Sequence, residues 1–161
     1  MRSSRLAWTA AAALLYAGSP AKAQARAGTL CPDPAHPCAG FRANDLSFVL
    51  PRDGVARAEV RSDLYYAVIL RSARPCAIPE RDRAAAQALF PGQKVFSHRF
   101  ECDDDVENNV TYTGVNRSAG FLAVYAGRNR QQASAMLARV ARTGRFPGAN
   151  LRRMQVVFVF P

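Results

Sequence analysis

"FLAVYAGRNRQQASAMLARV", residues 121–140, passes from an apolar run through one glycine into a helical pattern. Strand, glycine, helix is also how many phosphate-binding folds begin. A phosphate cradle, however, needs several glycines, so that successive backbone amides approach the anion without an intervening Cβ. The turn "AGRNRQ" (126–131) has a single glycine and neither G-x-G-x-x-G nor G-K-[ST]. Gly127 is therefore read as a sharp turn into a helix. Asn129 is placed to cap that helix, with Gln132 completing a capping box. Ala133, Met136, Leu137, Val140 and Ala141 share one helical face, and Gly144 stops the helix.

Working outward, "DLYYAVILRSA" (63–73) is rich in aromatic and β-branched residues and predicts a strand. "IPERDRAAAQALF" (78–90) predicts a helix, with Pro79 in its first turn, Glu80 and Asp82 at its positive end, and Pro91-Gly92 as its stop. "KVFSHRFE" (94–101), "VTYTGV" (110–115) and "LRRMQVVFVF" (151–160) predict further strands, and "DLSFVL" (45–50) an earlier one stopped by Pro51. From residue 64 the order is strand, helix, strand, strand, helix, strand. Two such halves predict an α+β, ferredoxin-like β-α-β-β-α-β domain, a four-stranded antiparallel sheet with two helices on one face.

The N-terminus reads differently. "MRSSRLAWTAAAALLYAGSPAKAQA" (1–25) has two arginines, an apolar core from Leu6 to Ala17, and two small-x-small sites, the layout of a secretory signal peptide. That core is too short to span a bilayer, and no other long apolar run occurs, so no transmembrane segment is expected. The expected division is a signal peptide at 1–25, an N-terminal extension at 26–60, and the folded domain at 61–161. The chain is expected to be exported, either periplasmic or extracellular.

Cys31, Cys38, Cys76 and Cys102 agree with export, because an even number in a small exported domain reads as two disulfides with three pairings open. Proximity favours Cys31–Cys38, closing the proline-rich loop "CPDPAHPC" (31–38), and Cys76–Cys102. The first and second strands of the predicted topology run the same way, so Cys76 and Cys102 emerge at one edge. A zinc site from Cys31, His36 and Cys38 is the alternative, although no C-x-x-C pair and no evident fourth ligand accompany it.

Charge is segregated along the chain. The formal net charge is +10, and removing Arg2, Arg5 and Lys22 with the leader lowers it by three to +7. Every carboxylate lies at or before Glu107, whereas Arg117, Arg128, Arg130, Arg139, Arg142, Arg145, Arg152 and Arg153 follow it. Such a half favours an anionic partner, and export makes nucleic acid the least natural one.

"AVYAGRNRQQASAMLARVARTG" (123–144) resembles the second half of the SPOR (sporulation-related) domain, where a V-x-V-G strand leads into a helix rich in alanine and leucine. "LYYAVILRSA" (64–73), followed by an alanine-rich helix, resembles the first half, which usually opens Y-x-V-Q-x-G-S-F. The resemblance covers residues 64–160. The usual glutamine and glycine are replaced around Ile69 and Arg71, and the segment from Glu101 to Gly120 is longer than in the family. What the resemblance implies is an exported β-α-β-β-α-β domain of the cell envelope, associated with cell division. It would bind peptidoglycan glycan strands stripped of peptide on the open sheet face.

Strand alternation then assigns that face. If Val68, Leu70, Val124 and Ala126 meet the helices, Tyr65, Ile69, Arg71 and Tyr125 point away, joined by Ser97, Arg99, Arg153 and Gln155. The expected glycan-binding set is Tyr65, Ile69, Arg71, Arg99, Tyr125, Arg153 and Gln155. Aromatic rings suit the C–H faces of sugars, and arginine suits the lactyl carboxylate of peptide-free muramic acid.

Enzymatic readings lack parts. His98 has no evident serine or thiol partner, and His36 lies in the proline loop. The cluster Asp103, Asp104, Asp105 and Glu107 has no apolar pocket for a glycosidase acid and no D-x-D-x-D-G spacing for calcium. No catalysis, cofactor or metal is expected. The competing expectation is an exported protein-interaction or inhibitory module that docks on another envelope protein and has no glycan ligand.

Overall fold

The structure is a computed structural model, and it describes residues 26–52, 58–98, 109–116 and 118–160. The expected leader, Arg99, Cys102 and the acidic cluster 103–107 lie outside the described residues. The elements are β1 (Leu30–Cys31), β2 (Ser47–Phe48), β3 (Glu59–Arg61), β4 (Tyr65–Ala73), α1 (Glu80–Leu89), β5 (Val95–His98), β6 (Val110–Tyr112), β7 (Gly120–Gly127), α2 (Arg130–Arg142), β8 (Asn150–Met154) and β9 (Val156–Val159). The protein is α+β, with two helices and antiparallel sheets among the described residues.

A four-stranded antiparallel sheet has the order β5-β7-β4-β8, so the long apolar strands β4 and β7 form its centre. Both helices cover one face. Ala86 of α1 and Ala133, Met136 and Val140 of α2 bury against Val68, Leu70, Leu122 and Val124 of the sheet. Helix α1 begins after Pro79, with Glu80 and Asp82 in its first turn, where carboxylates complement the helix dipole. Beyond its end, the Gln87 amide donates to the carbonyls of Phe90 and Gln93 and accepts from the Val95 N–H, which fixes the turn into β5.

At the opening stretch, Asn129 Oδ1 accepts from the Gln132 N–H at 2.9 Å, and Gln132 Oε1 accepts from the Arg128 N–H at 2.8 Å. Gly127 has φ +108°, and a Cβ there would lie 2.5 Å from the Gln132 side chain. The glycine is thus required twice, by its dihedral and by the capping side chain packed over it.

The second face of the sheet departs from expectation. The C-terminal stretch 151–160 was predicted as one strand, but it breaks at Gln155. β8 stays in the four-stranded sheet, while β9 leaves it to pair with β3 and β6 in the order β3-β9-β6. That second sheet, together with the β1–β2 pair, covers the face expected to be open. Leu30, Leu46, Phe48, Val110, Tyr112, Val156 and Phe158 form one apolar cluster with Tyr65, Ile69, Phe96 and Phe121. The extension expected at 26–60 is consequently part of the core. It also shields the edge strand, because the Lys94 N–H donates to the Pro32 carbonyl and the Ser97 N–H to the Asn44 carbonyl.

Cys31 and Cys38 form a disulfide, as expected from their proximity. The bond consumes both thiols of the zinc alternative. Cys76 is also disulfide-bonded, and its expected partner Cys102 lies outside the described residues. No helix among the described residues is long and apolar enough to cross a membrane.

Candidate functional site: an arginine-flanked groove on α2

The residues expected on an open sheet face do not come together. Tyr65 is 0% exposed, with its ring 6.3 Å from that of Phe96 and 5.9 Å from that of Tyr125. Ile69 is buried in the same cluster, and Ser97 is buried as well. The face of Tyr65 and Ile69 was assigned correctly, but the second sheet lies over it, so neither reaches a ligand. Ser97 instead pairs with Leu122 on the helix side, and Phe96 and His98 take the far face of β5.

Arg71 lies on the opposite face from the one expected. The β4–β7 register shifts between Ile69 and Arg71, a bulge that places Arg71 opposite Leu122 of the helix-side cluster. Its guanidinium pairs with Asp82 of α1 at 2.6 Å. Arg153 is exposed opposite Tyr66, in phase with Leu151, and both Tyr66 and Leu151 pack on the helix-side cluster. Gln155 is a structural joint between the two sheets. Its Nε2 donates to the Ser62 carbonyl at 2.9 Å, and its backbone N–H donates to Thr113 Oγ1 at 2.8 Å. Arg99 lies outside the described residues. Tyr125, near the end of β7, is half-buried, with its ring beside Tyr65 at the margin of the far-face cluster.

A groove of about 410 Å³ lies where β7 ends and α2 runs back over the sheet. Tyr125 and Ala126 form its β7 edge, while the Tyr125 ring itself packs on the far face beside Tyr65. Gln93, Gln132, Met136, Arg139 and Arg142 complete its walls. Arg139 and Arg142 are three residues apart on α2 and therefore adjacent on its surface. Arg139 is held in place: its Nη1 donates to Gln93 Oε1 at 2.8 Å, and its guanidinium carbon lies 5.4 Å from the Phe90 ring centroid. Arg142 is exposed. Burial raises the Tyr125 hydroxyl above its ordinary pKa, while a hydrogen bond from Arg128 opposes that rise. The groove offers two amides and guanidinium groups, together with an apolar floor at Met136 and Ala126.

Folding also separates the charges. Arg26, Arg42, Arg61, Arg71, Arg81 and Arg83 each pair with a carboxylate. Among the described residues, no arginine from Arg128 onward does so, which leaves the surface around α2 and β8 positive. Sequence reasoning identified this basic half but not Gln93, Gln132, Arg139 and Arg142 as a group. The available signal was the i, i+3 row Met136, Arg139 and Arg142, which runs from the buried face of α2 to its exposed side.

The histidines sit apart from the groove. His98 is 4% exposed, packed 5.6 Å from both the Tyr112 and Phe121 rings, and burial pushes its pKa down. His36 Nδ1 lies 2.9 Å from the Asp33 carboxylate on an exposed loop. No family model, curated protein or solved structure matches the chain.

Proposed function

We propose that the protein is an exported, non-catalytic binding domain of the cell envelope, and that its ligand is the peptide-stripped glycan strand of peptidoglycan. The observation that carries this reading is the α2 groove, where Gln93 and Gln132 lie beside Arg139 and Arg142, which have no acidic partner within the described fold. The two amides suit sugar hydroxyls, and the apolar floor at Met136 and Ala126 suits the C–H face of a sugar ring. A guanidinium suits the lactyl carboxylate of muramic acid through paired hydrogen bonds. The β5-β7-β4-β8 order, with each helix linking two strands separated by a third, supports a ferredoxin-like split β-α-β arrangement and, with it, the SPOR resemblance. The contact surface differs from the one which that resemblance implies, because a second sheet covers the far face. The disulfide Cys31–Cys38 favours an oxidising, extracytoplasmic compartment.

Co-sedimentation with isolated sacculi tests the reading. Amidase treatment that strips the peptides should strengthen binding, and raising the salt should weaken it steeply, since the screening length shrinks from about 10 Å at 0.1 M to about 3 Å at 1 M. Equal and salt-insensitive retention on both preparations, or none on either, would favour the protein-interaction reading instead.

A further inference from the structure

A second cleft, sharing no residue with the α2 groove, lies between α1 and the loop that joins α2 to β8. Its volume is about 540 Å³, within the range of small-molecule sites. The floor is Leu70 and Leu122 of the sheet, and the walls include Leu89 of α1 and Phe146 of the loop. Three charged side chains stand at its mouth: Arg71, Asp82 and Arg145. Arg71 and Asp82 neutralise one another at 2.6 Å. Arg145 is exposed and has no acidic partner among the described residues. The cleft therefore combines a continuous apolar interior with a single uncompensated guanidinium at its rim.

We propose that this cleft binds a small amphipathic carboxylate, with its hydrocarbon body against Leu70, Leu89, Leu122 and Phe146 and its carboxylate on Arg145. The charge at the mouth decides the head group. A cationic amphiphile would meet Arg145 unfavourably, and a neutral one would gain the apolar contact without the ion pair. A planar guanidinium holds a carboxylate with two parallel hydrogen bonds, which a hydroxyl cannot reproduce. The interior carries too few polar groups for a sugar or a nucleotide, which separates this site from the glycan groove. The proposal stands independently of the glycan reading.

Decanoate is the probe, titrated below its micellar concentration and followed by calorimetry, with decanol and decyltrimethylammonium as controls. Saturable one-to-one binding of decanoate, with decanol weaker by about ten-fold and the cation not binding, is the expected result. Arg145→Gln should bring decanoate down to the decanol level. Ala85→Phe, which fills the cleft from an exposed position on α1, should abolish binding of both while the thermal midpoint stays that of the parent. The absence of saturable decanoate binding, equal affinity for decanoate and decanol, or decanoate binding unchanged in both variants would overturn the proposal.

Discussion

Tyr65 and Tyr125 are neighbours across β4 and β7, with ring centroids 5.9 Å apart, yet they occupy different environments. Tyr65 is wholly buried, and its hydroxyl has no hydrogen-bond partner, whereas Tyr125 is half-buried at the margin of the same cluster. A buried hydroxyl without a partner carries a desolvation cost that phenylalanine does not. Tyr65→Phe should therefore leave stability unchanged or raise it, while Tyr65→Ala should cost about 3–5 kcal/mol. Urea denaturation compares the two, and a large loss in the phenylalanine variant would contradict the packing described. Alternation in the sequence places Tyr65 on its proper face, but alternation carries no information about which distant segment covers that face. His98 illustrates the same limit, since nothing local marks it as enclosed by Tyr112 and Phe121. Its folded pKa is depressed below the ordinary 6.5, chiefly by burial. The stability it contributes is thus present above 6.5 and is lost as the pH falls through the depressed folded value. The denaturation midpoint should drop on acidification through that window, and His98→Phe should flatten this part of the profile. An unchanged pH slope in the variant would exclude His98 as its source.

At the scale of elements, α2 was the most legible part of the chain because its signals are local. The Asn129 cap, the Gln132 side chain folded back over Gly127, and the positive φ of Gly144 all reside within or beside the helix. The predicted apolar face is narrower in the structure: Ala133, Met136 and Val140 are buried, Leu137 is partly buried and Ala141 is exposed. Met136→Ala should therefore cost about 2–5 kcal/mol. Asn129→Ala should cost about 1 kcal/mol through the lost cap. Thermal or urea unfolding measures both, and equal losses would mean that the helix is not docked through Met136. The bulge in β4 was not legible, because a bulge is defined by the partner strand and leaves no mark on its own sequence. The break at Gln155 left a trace that the strand reading passed over. Val156, Val157 and Phe158 form a consecutive apolar run after the polar Gln155, and all three are buried, whereas the preceding Arg152 and Arg153 are exposed.

For the whole molecule, the decisive feature is that two clusters lie on opposite faces of one sheet, one closed by helices and the other by the N-terminal extension and the strands β3, β6 and β9. Closing both faces of the four-stranded sheet leaves neither of them open to a polymer and shifts the available chemistry to the helix side. There Arg139 and Arg142, without acidic partners among the described residues, line the α2 groove. The sequence disclosed the charge asymmetry and the helix–strand order, since both are properties of the linear chain. It could not disclose the groove, whose members Gln93 and Arg139 are brought together across 46 residues by tertiary packing. The central claim is that an anionic glycan is read by this groove. Its most direct test is a titration of the isotopically labelled protein with peptide-free muramic-acid-containing glycan oligomers, followed by amide and side-chain NMR shifts. The account predicts saturable shifts concentrated at Gln93, Gln132, Arg139 and Arg142, lost in an Arg139→Gln, Arg142→Gln double variant that remains folded. Shifts confined to the outer surface of the β3-β9-β6 sheet, or none at saturating glycan, would contradict it.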